Sequence, residues 1–400
     1  MRKRRSNTDD ARGAARLAIE ATTGVTSVVE AMHRTIARGP ALLGYPLSGP
    51  VGAITAVAYQ GVRGVTRWVG GGIDLSLRQL APLLGTSIPG PEREALLAAL
   101  NGTLGDHLVR TDNPLAIQMR LRRDGQPLEL GPQALRRAFP RAGPRILVLI
   151  HGSSMSDLQW TRLGHNHGAD LARDLGYTPI AVHYNSGLHV STNGRMLSAL
   201  LERLARGWPS NLQELAFLGH SMGGLVARSA CEAGEQTLWR SKLKNLVCLG
   251  TPHHGSSLER VGSWIDLLLG IHPYSAPLAR LGKIRSAGVT DLRFGYVRDR
   301  DWEGRDRFAH RGDSREPLPL PEGVACFAIA ATTAPRARAR LPGDGLVSVD
   351  SALGKHARPE LTLGFPRTHQ WIGLGMNHLD LLSSSAVYRR IRGWLGAPRD

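Results

Sequence analysis

The residues of this chain that could do chemistry are a serine set between glycines, followed much later by aspartates and histidines. The stretch Gly219-His-Ser-Met-Gly223 gives Ser221 the G-x-S-x-G spacing of a nucleophile elbow. A serine hydroxyl is a weak nucleophile at neutral pH. It attacks a carbonyl when a histidine takes its proton and a carboxylate fixes that histidine's tautomer and stabilises its cationic form. The glycines answer a steric need, because the serine must stand on a strained turn where flanking side chains would clash.

In such elbows the partners follow in the order serine, acid, histidine. The histidines near the C-terminus are His369 and His378. His378 lies in Gly375-Met-Asn-His-Leu-Asp380, a loop leading into the last helix, where a base arriving from the last strand belongs. His369 falls within or just after that strand. His253 and His254 come too early in the order and are expected to shape a loop. For the acid, Asp344 in Leu341-Pro-Gly-Asp-Gly345 has a glycine on each side, which permits a sharp turn at a strand end. Asp350 follows Leu346-Val347 and could instead cap a local turn. The oxyanion needs two converging backbone donors. The N–H of Met222, next to the nucleophile, is one; the N–H of Ser153, in His151-Gly-Ser-Ser154, is the other.

The elements around these residues must hold them at one end of a sheet. Leu215 to Leu218 reads as a buried strand and Leu225 to Arg228 as the start of a helix, the context an elbow requires. Before it, Arg145 to Ile150 is a continuous apolar strand of the kind buried on both faces of a parallel sheet. Helices are expected over Asp157 to Leu175 and Asn193 to Arg206, and strands over Thr178 to His183, Lys244 to Leu249, Val324 to Ala331 and Leu361 to Phe365. A helix from about His378 to Leu395 closes the chain. Leu115 to Leu121 and Pro127 to Leu130 read as a hairpin across Asp124-Gly125. Alternating strands and helices imply a doubly wound, mostly parallel sheet. The break in alternation over about 256–320, with a helix near Val261 to Leu269, reads as a cap. Residues 1–110 read as an α-helical segment: apolar stripes at helical spacing run over Asp9 to Ala37 and Val51 to Trp68, a third piece spans Ile73 to Leu84, and Pro91 with Glu92 and Glu94 opens another helix. Residues 111–400 are then the catalytic domain.

Composition narrows the class. Of 400 residues, 42% are hydrophobic, enough for a sizeable core. Three cysteines, with no C-x-x-C, make no disulfide framework and read as small buried hydrophobes in a reducing compartment. The net charge of +17 comes mostly from scattered arginines without aromatic interleaving. That pattern fits a solvated basic surface, with peripheral contact to an anionic membrane as the other use, and argues against nucleic acid. The basic start Met1-Arg-Lys-Arg-Arg5 runs into Ser6-Asn-Thr-Asp-Asp10 instead of an apolar stretch, so a cytoplasmic location is expected.

With these residues in place, the chain resembles the α/β-hydrolase superfamily, and within it the bacterial lipases and the GPI inositol-deacylase-like esterases. The resemblance rests on V-L-I-H-G at 148–152, G-H-S-M-G-G at 219–224, L-G-T-P-H-H-G at 249–255, G-D-G-L-V at 343–347 and N-H-L-D at 377–380, in that order. It implies an α/β-hydrolase fold with a helical cap, and carboxylic-ester hydrolysis through an acyl-serine. Ser221, Asp344 and His378 take the nucleophile, acid and base positions, and Ser153 and Met222 the oxyanion donors. Trp264 and Leu267 to Leu269 in the cap point to an apolar acyl pocket, hence small, lipid or polyester esters as substrates. The other readings are acyl transfer with the same triad and a non-catalytic membrane-surface protein. No cofactor is expected. Some bacterial lipases hold calcium through an aspartate at the place of Asp380, but Ser384 stands where they carry a glutamine, so no metal is expected either.

Overall fold

The computed structural model describes residues 90–110, 112–256, 286–305, 312–339 and 341–397. The expected helices before residue 85 and the cap helix near Val261 to Leu269 lie outside them. The described residues fall into two units, one holding residues up to Ile117 together with Ser286, the other the rest.

In the first unit the helix expected at Pro91 is present as α1, Gly90–Arg110, with His107 and Arg110 in its last turn, where positive charge meets the helix's negative end. Buried Asn101 ties the chain beyond the helix back to it. Its amide donates to the carbonyls of Leu97 and Leu115, and its oxygen accepts from Ile117 N–H.

The second unit is built on an eight-stranded sheet in the order β2-β1-β4-β3-β5-β6-β7-β8. The strands are β1 Arg120–Arg123, β2 Gln126–Pro127, β3 Arg145–Ile150, β4 Thr178–His183, β5 Glu214–His220, β6 Leu243–Leu249, β7 Ala325–Thr332 and β8 Gln370–Leu374. Only β1 runs antiparallel to its neighbours, β2 and β4; every pair from β4 to β8 is parallel. The hairpin is shorter than expected but turns where expected. Asp124 and Gly125 both have φ near the left-handed region, 49° and 73°, which matches the twist of a two-residue hairpin.

The main helices are α2 Pro132–Ala138, α3 His167–Leu175, α4 Val190–Gly207, α5 Met222–Ala233 and α6 Ser385–Gly396. Because side chains alternate across a strand, each central strand feeds two cores. One face gathers Leu147, Leu149, Leu218, Val247 and Ile329 with Trp160, Leu171, Tyr388 and Ile391. The other carries Phe217, whose ring meets Trp239 at 5.5 Å.

Three expectations need correction. The closing helix expected from about His378 begins only at Ser385, after a separate 3-10 turn over Asp380–Leu382. The helix expected over 157–175 is a 3-10 turn, Asp157–Trp160, followed by a tight turn and then α3. Leu163 and Gly164 take φ of 50° and 75°, and Asn166 caps α3 by accepting from Ala169 N–H. A glycine and a capping asparagine inside one apolar stripe were the stop and start signals. The last strand is Gln370–Leu374, not 361–365. Leu361, Leu363 and Phe365 are buried in alternation, yet Leu363 N–H bonds Gly354 O and Phe365 N–H bonds Leu363 O, so they line a loop. Alternation reports a buried side, not the sheet ladder.

The arginines also differ from a solvated surface. Arg228, Arg298 and Arg315 are buried. Arg228 and Arg298, with Arg240 and Arg358, donate to backbone carbonyls along one extended segment: Arg358 to Asp313 and Arg315, Arg298 to Glu316 and Pro317, Arg228 to Leu318, Arg240 to Glu322. Arg315, from within that segment, donates to the carbonyls of His253 and Gly295. The three prolines of Pro317-Leu-Pro-Leu-Pro321 have no N–H to pair, so carbonyl acceptors are what this strap offers.

Candidate active site

Strand β5 ends at His220 and α5 begins at Met222, leaving Ser221 alone in the turn with φ 54° and ψ −124°. For a residue with a Cβ that conformation costs on the order of 1–3 kcal/mol, and the surroundings hold it. Ser221 N–H donates to Leu249 O at 2.8 Å, and its carbonyl accepts from Gly224 N–H. A Cβ at Gly219 would lie 2.7 Å from Gly224 N, one at Gly223 2.1 Å from Ile150 O, and one at Gly224 2.0 Å from Thr251 Oγ1. The glycines are thus required by close packing of the elbow on β3 and on the loop after β6.

After β8 the chain turns at Gly375, φ 62°, and is pinned by Gly375 N–H to Ala334 O and Met376 N–H to Thr332 O. Asn377 Oδ1 accepts from the N–H groups of Leu379 and Asp380, and Asp380 returns a bond to Asn377 N–H. That turn presents His378. Asp344 comes from the loop after β7, between Gly343 at φ 89° and Gly345 at φ 96°. Its Oδ1 accepts from Leu346 N–H at 2.9 Å and Val347 N–H at 2.7 Å. Its Oδ2 lies 2.7 Å from His378 Nδ1, and its carbonyl accepts from His378 N–H. Both side chains are buried. With Oδ1 engaged by two backbone N–H groups, Asp344 Oδ2 is left as an acceptor for a proton on His378 Nδ1. Among the described residues neither His378 Nε2 nor Ser221 Oγ, both buried, has a hydrogen-bond partner.

The other sequence candidates fall elsewhere. Asp350 is exposed in the first turn of a short helix, Val349–Ala352, capped by Ser348. His369 Nδ1 meets Cys326 O, and its ring packs on Phe327 at 4.2 Å. His253 and His254 shape the loop after β6 as expected. The carbonyl of His253 accepts from Arg315, and His254 donates from its backbone to Ser351 Oγ. Burial holds His253 well below the usual imidazole range and His254 at about 3. Ser153 and Met222 are buried; Met222 opens α5, where an N–H has no carbonyl a turn earlier to bind. Gly152, before Ser153, lies so close to Ser221 that a Cβ there would be 3.0 Å from Ser221 Cβ.

One neighbour was not anticipated. His220, inside the motif, spans to His378: its Nε2 bonds the carbonyl of His378 at 3.1 Å, and the two rings lie 4.7 Å apart. Burial keeps His220 neutral. The signal was available, since a large polar residue beside the serine of a buried elbow must find a partner.

The sheet is open and mostly parallel with an antiparallel β1 near its edge; Ser221 stands on the strand-to-helix turn of β5, Asp344 follows β7 and His378 follows β8. The fold is that of the α/β-hydrolases. Residues 143–315 match the family model described as the PGAP1-like alpha/beta domain. No curated protein matches the sequence. Among solved structures, the mature form of a Bacillus licheniformis lipase is 18% identical, with a TM-score of 0.43 over 70% of this chain and 97% of that one. EstA from Clostridium botulinum is 14% identical, TM-score 0.37, over 64% of this chain and 87% of that one. Phospholipase PlaB from Legionella pneumophila is 16% identical, TM-score 0.34, over 52% and 45%. Among the described residues no group of three or more histidine, cysteine or acidic side chains could hold a metal ion.

Proposed function

We propose that this chain is a serine hydrolase of carboxylic esters with apolar acyl chains, working through an acyl-serine on Ser221. The observation that carries the reading is the 2.7 Å pair of His378 Nδ1 and Asp344 Oδ2, both buried, in the same unit as a serine held at φ 54°. In the proposed cycle His378 Nε2 accepts the Ser221 proton as Oγ adds to the ester carbonyl, and the N–H groups of Ser153 and Met222 receive the oxyanion. The imidazolium, stabilised by Asp344, returns the proton to the leaving alcohol. Water then adds to the acyl-serine by the same route and releases the acid.

The test is a chain-length series of p-nitrophenyl esters with wild type and Ser221→Ala. Wild-type turnover that rises with acyl length and falls by about 10⁴-fold or more in the variant is expected. Undiminished turnover in Ser221→Ala contradicts the reading.

A further inference from the structure

Two residues just after β4, Tyr184 and Ser186, bracket the loop that carries Ser153. The Tyr184 hydroxyl donates to His151 O at 2.8 Å, and its ring stacks on the His151 imidazole at 4.2 Å. Two residues on, Ser186 Oγ accepts from Ser154 N–H at 2.9 Å. Ser154 needs the support, since it sits at φ 58°, a conformation costly for a residue with a Cβ. From the other side, the loop's carbonyls at Ile150 and His151 close on Gly223 of α5. Gly152 and Ser153 therefore lie between two fixed points, the His151 carbonyl and the Ser154 N–H. The anchors are within reach because β4 lies beside β3 in the sheet, pairing Ile150 with Val182.

We propose that Tyr184 and Ser186 are positioning residues for the oxyanion donor, a clamp contributed by the neighbouring strand that sets where the Ser153 N–H points. This rests on the ester-hydrolase reading above. Preorganised donors contribute because they need not reorganise as charge develops, and a small misplacement forfeits much of that gain. The clamp acts on the transition state and leaves ground-state binding alone. Burial raises the Tyr184 hydroxyl out of the titratable range and holds His151 at about 3, so the clamp keeps one protonation state through neutral pH.

The experiment compares wild type with Tyr184→Phe, Ser186→Ala and a control, Tyr177→Phe. Tyr177 stands at the opposite end of β4 and gives its hydroxyl to Glu214, so the control removes a buried hydroxyl far from the elbow. With a p-nitrophenyl ester, Tyr184→Phe and Ser186→Ala should each lower kcat by roughly 10- to 100-fold, with KM within about twofold. The Ki of an alkylboronic acid, which mimics the tetrahedral intermediate, should rise by the same factor as kcat falls. Thermal unfolding shows that each variant is folded, and Ser186→Ala serves should Tyr184→Phe not fold. Unchanged kcat in the folded variants, or a kcat loss with unchanged boronate Ki, overturns the clamp while leaving ester hydrolysis standing. Equal losses in Tyr177→Phe reduce the effect to general destabilisation and also overturn it. A wild type without ester activity overturns both readings.

Discussion

Asp344 and Asp350 have the same side chain and lie six positions apart, yet only Asp344 meets His378. The difference is local: two glycines with φ near 90° turn the Asp344 carboxylate inward, whereas Asp350 stays in water on a helix turn. Asp344→Asn keeps the shape but favours the wrong imidazole tautomer, so kcat should fall by about 10³- to 10⁴-fold with KM little changed. Asp350→Asn should stay within about twofold of wild type, and ester kinetics on the two variants checks both. Equal losses, or a loss confined to Asp350→Asn, would move the acid. At this scale the structure pairs the two residues that the sequence order had paired, His378 and Asp344. Motif order singled out His378 over His369 and Asp344 over Asp350, because both depend on chain order and turn chemistry. His220's bond to the His378 carbonyl was hidden, since it needs two loops brought together across 158 residues.

The elements were legible wherever one physical pattern acted alone. The apolar runs of β3, β5, β6 and β7 are buried on both faces and announce themselves, and the Asp124-Gly125 turn needs left-handed backbone that its residues tolerate. Errors came where burial and hydrogen bonding part company, as at 361–365, or where a helical stripe runs through a turn, as at 163–164. Packing between elements gives its own prediction. At Gly223 an added Cβ meets a backbone oxygen that cannot rotate away, so Gly223→Ala should cost at least about 1–3 kcal/mol and lower the melting temperature by several degrees. Gly393, inside α6 with nothing within 4 Å of its Cβ position, should instead gain up to about 1 kcal/mol on conversion to alanine. Differential scanning calorimetry of the two variants should show shifts of opposite sign; equal shifts would contradict the packing of α5 on β3.

Across the whole molecule, the charge of +17 proved only partly a surface property, because arginines spend part of it on the carbonyls of the 313–322 strap. Composition cannot reveal this, as a buried and a solvated arginine count alike. The three cysteines are buried as expected, and burial pushes the thiols of Cys231 and Cys248 up to about 12, so they are poor nucleophiles at neutral pH. The buried histidines predict a loss of stability in acid. His151 is held at about 3, His167 at about 4 and His254 at about 3, with His220 and His253 well below the usual range, in each case mainly by burial. Above about pH 6.5 these groups are neutral folded or unfolded and contribute no pH dependence. As pH falls below 6.5 the unfolded chain takes up protons that the folded chain refuses. Stability then drops by up to about 1.4 kcal/mol per pH unit for each histidine, until the folded values near 3 to 4 are reached. Urea unfolding at pH 7, 6 and 5 should show steadily lower midpoints; a flat profile would contradict the burial of these rings.

The central claim, an activated Ser221 served by His378, is tested most directly by covalent capture. Incubation with a fluorophosphonate and peptide mapping by mass spectrometry should place a single adduct on Ser221. The adduct should vanish in Ser221→Ala and form at least about 10³-fold more slowly in His378→Asn. Labelling elsewhere, or labelling of Ser221 at the wild-type rate in His378→Asn, would contradict it.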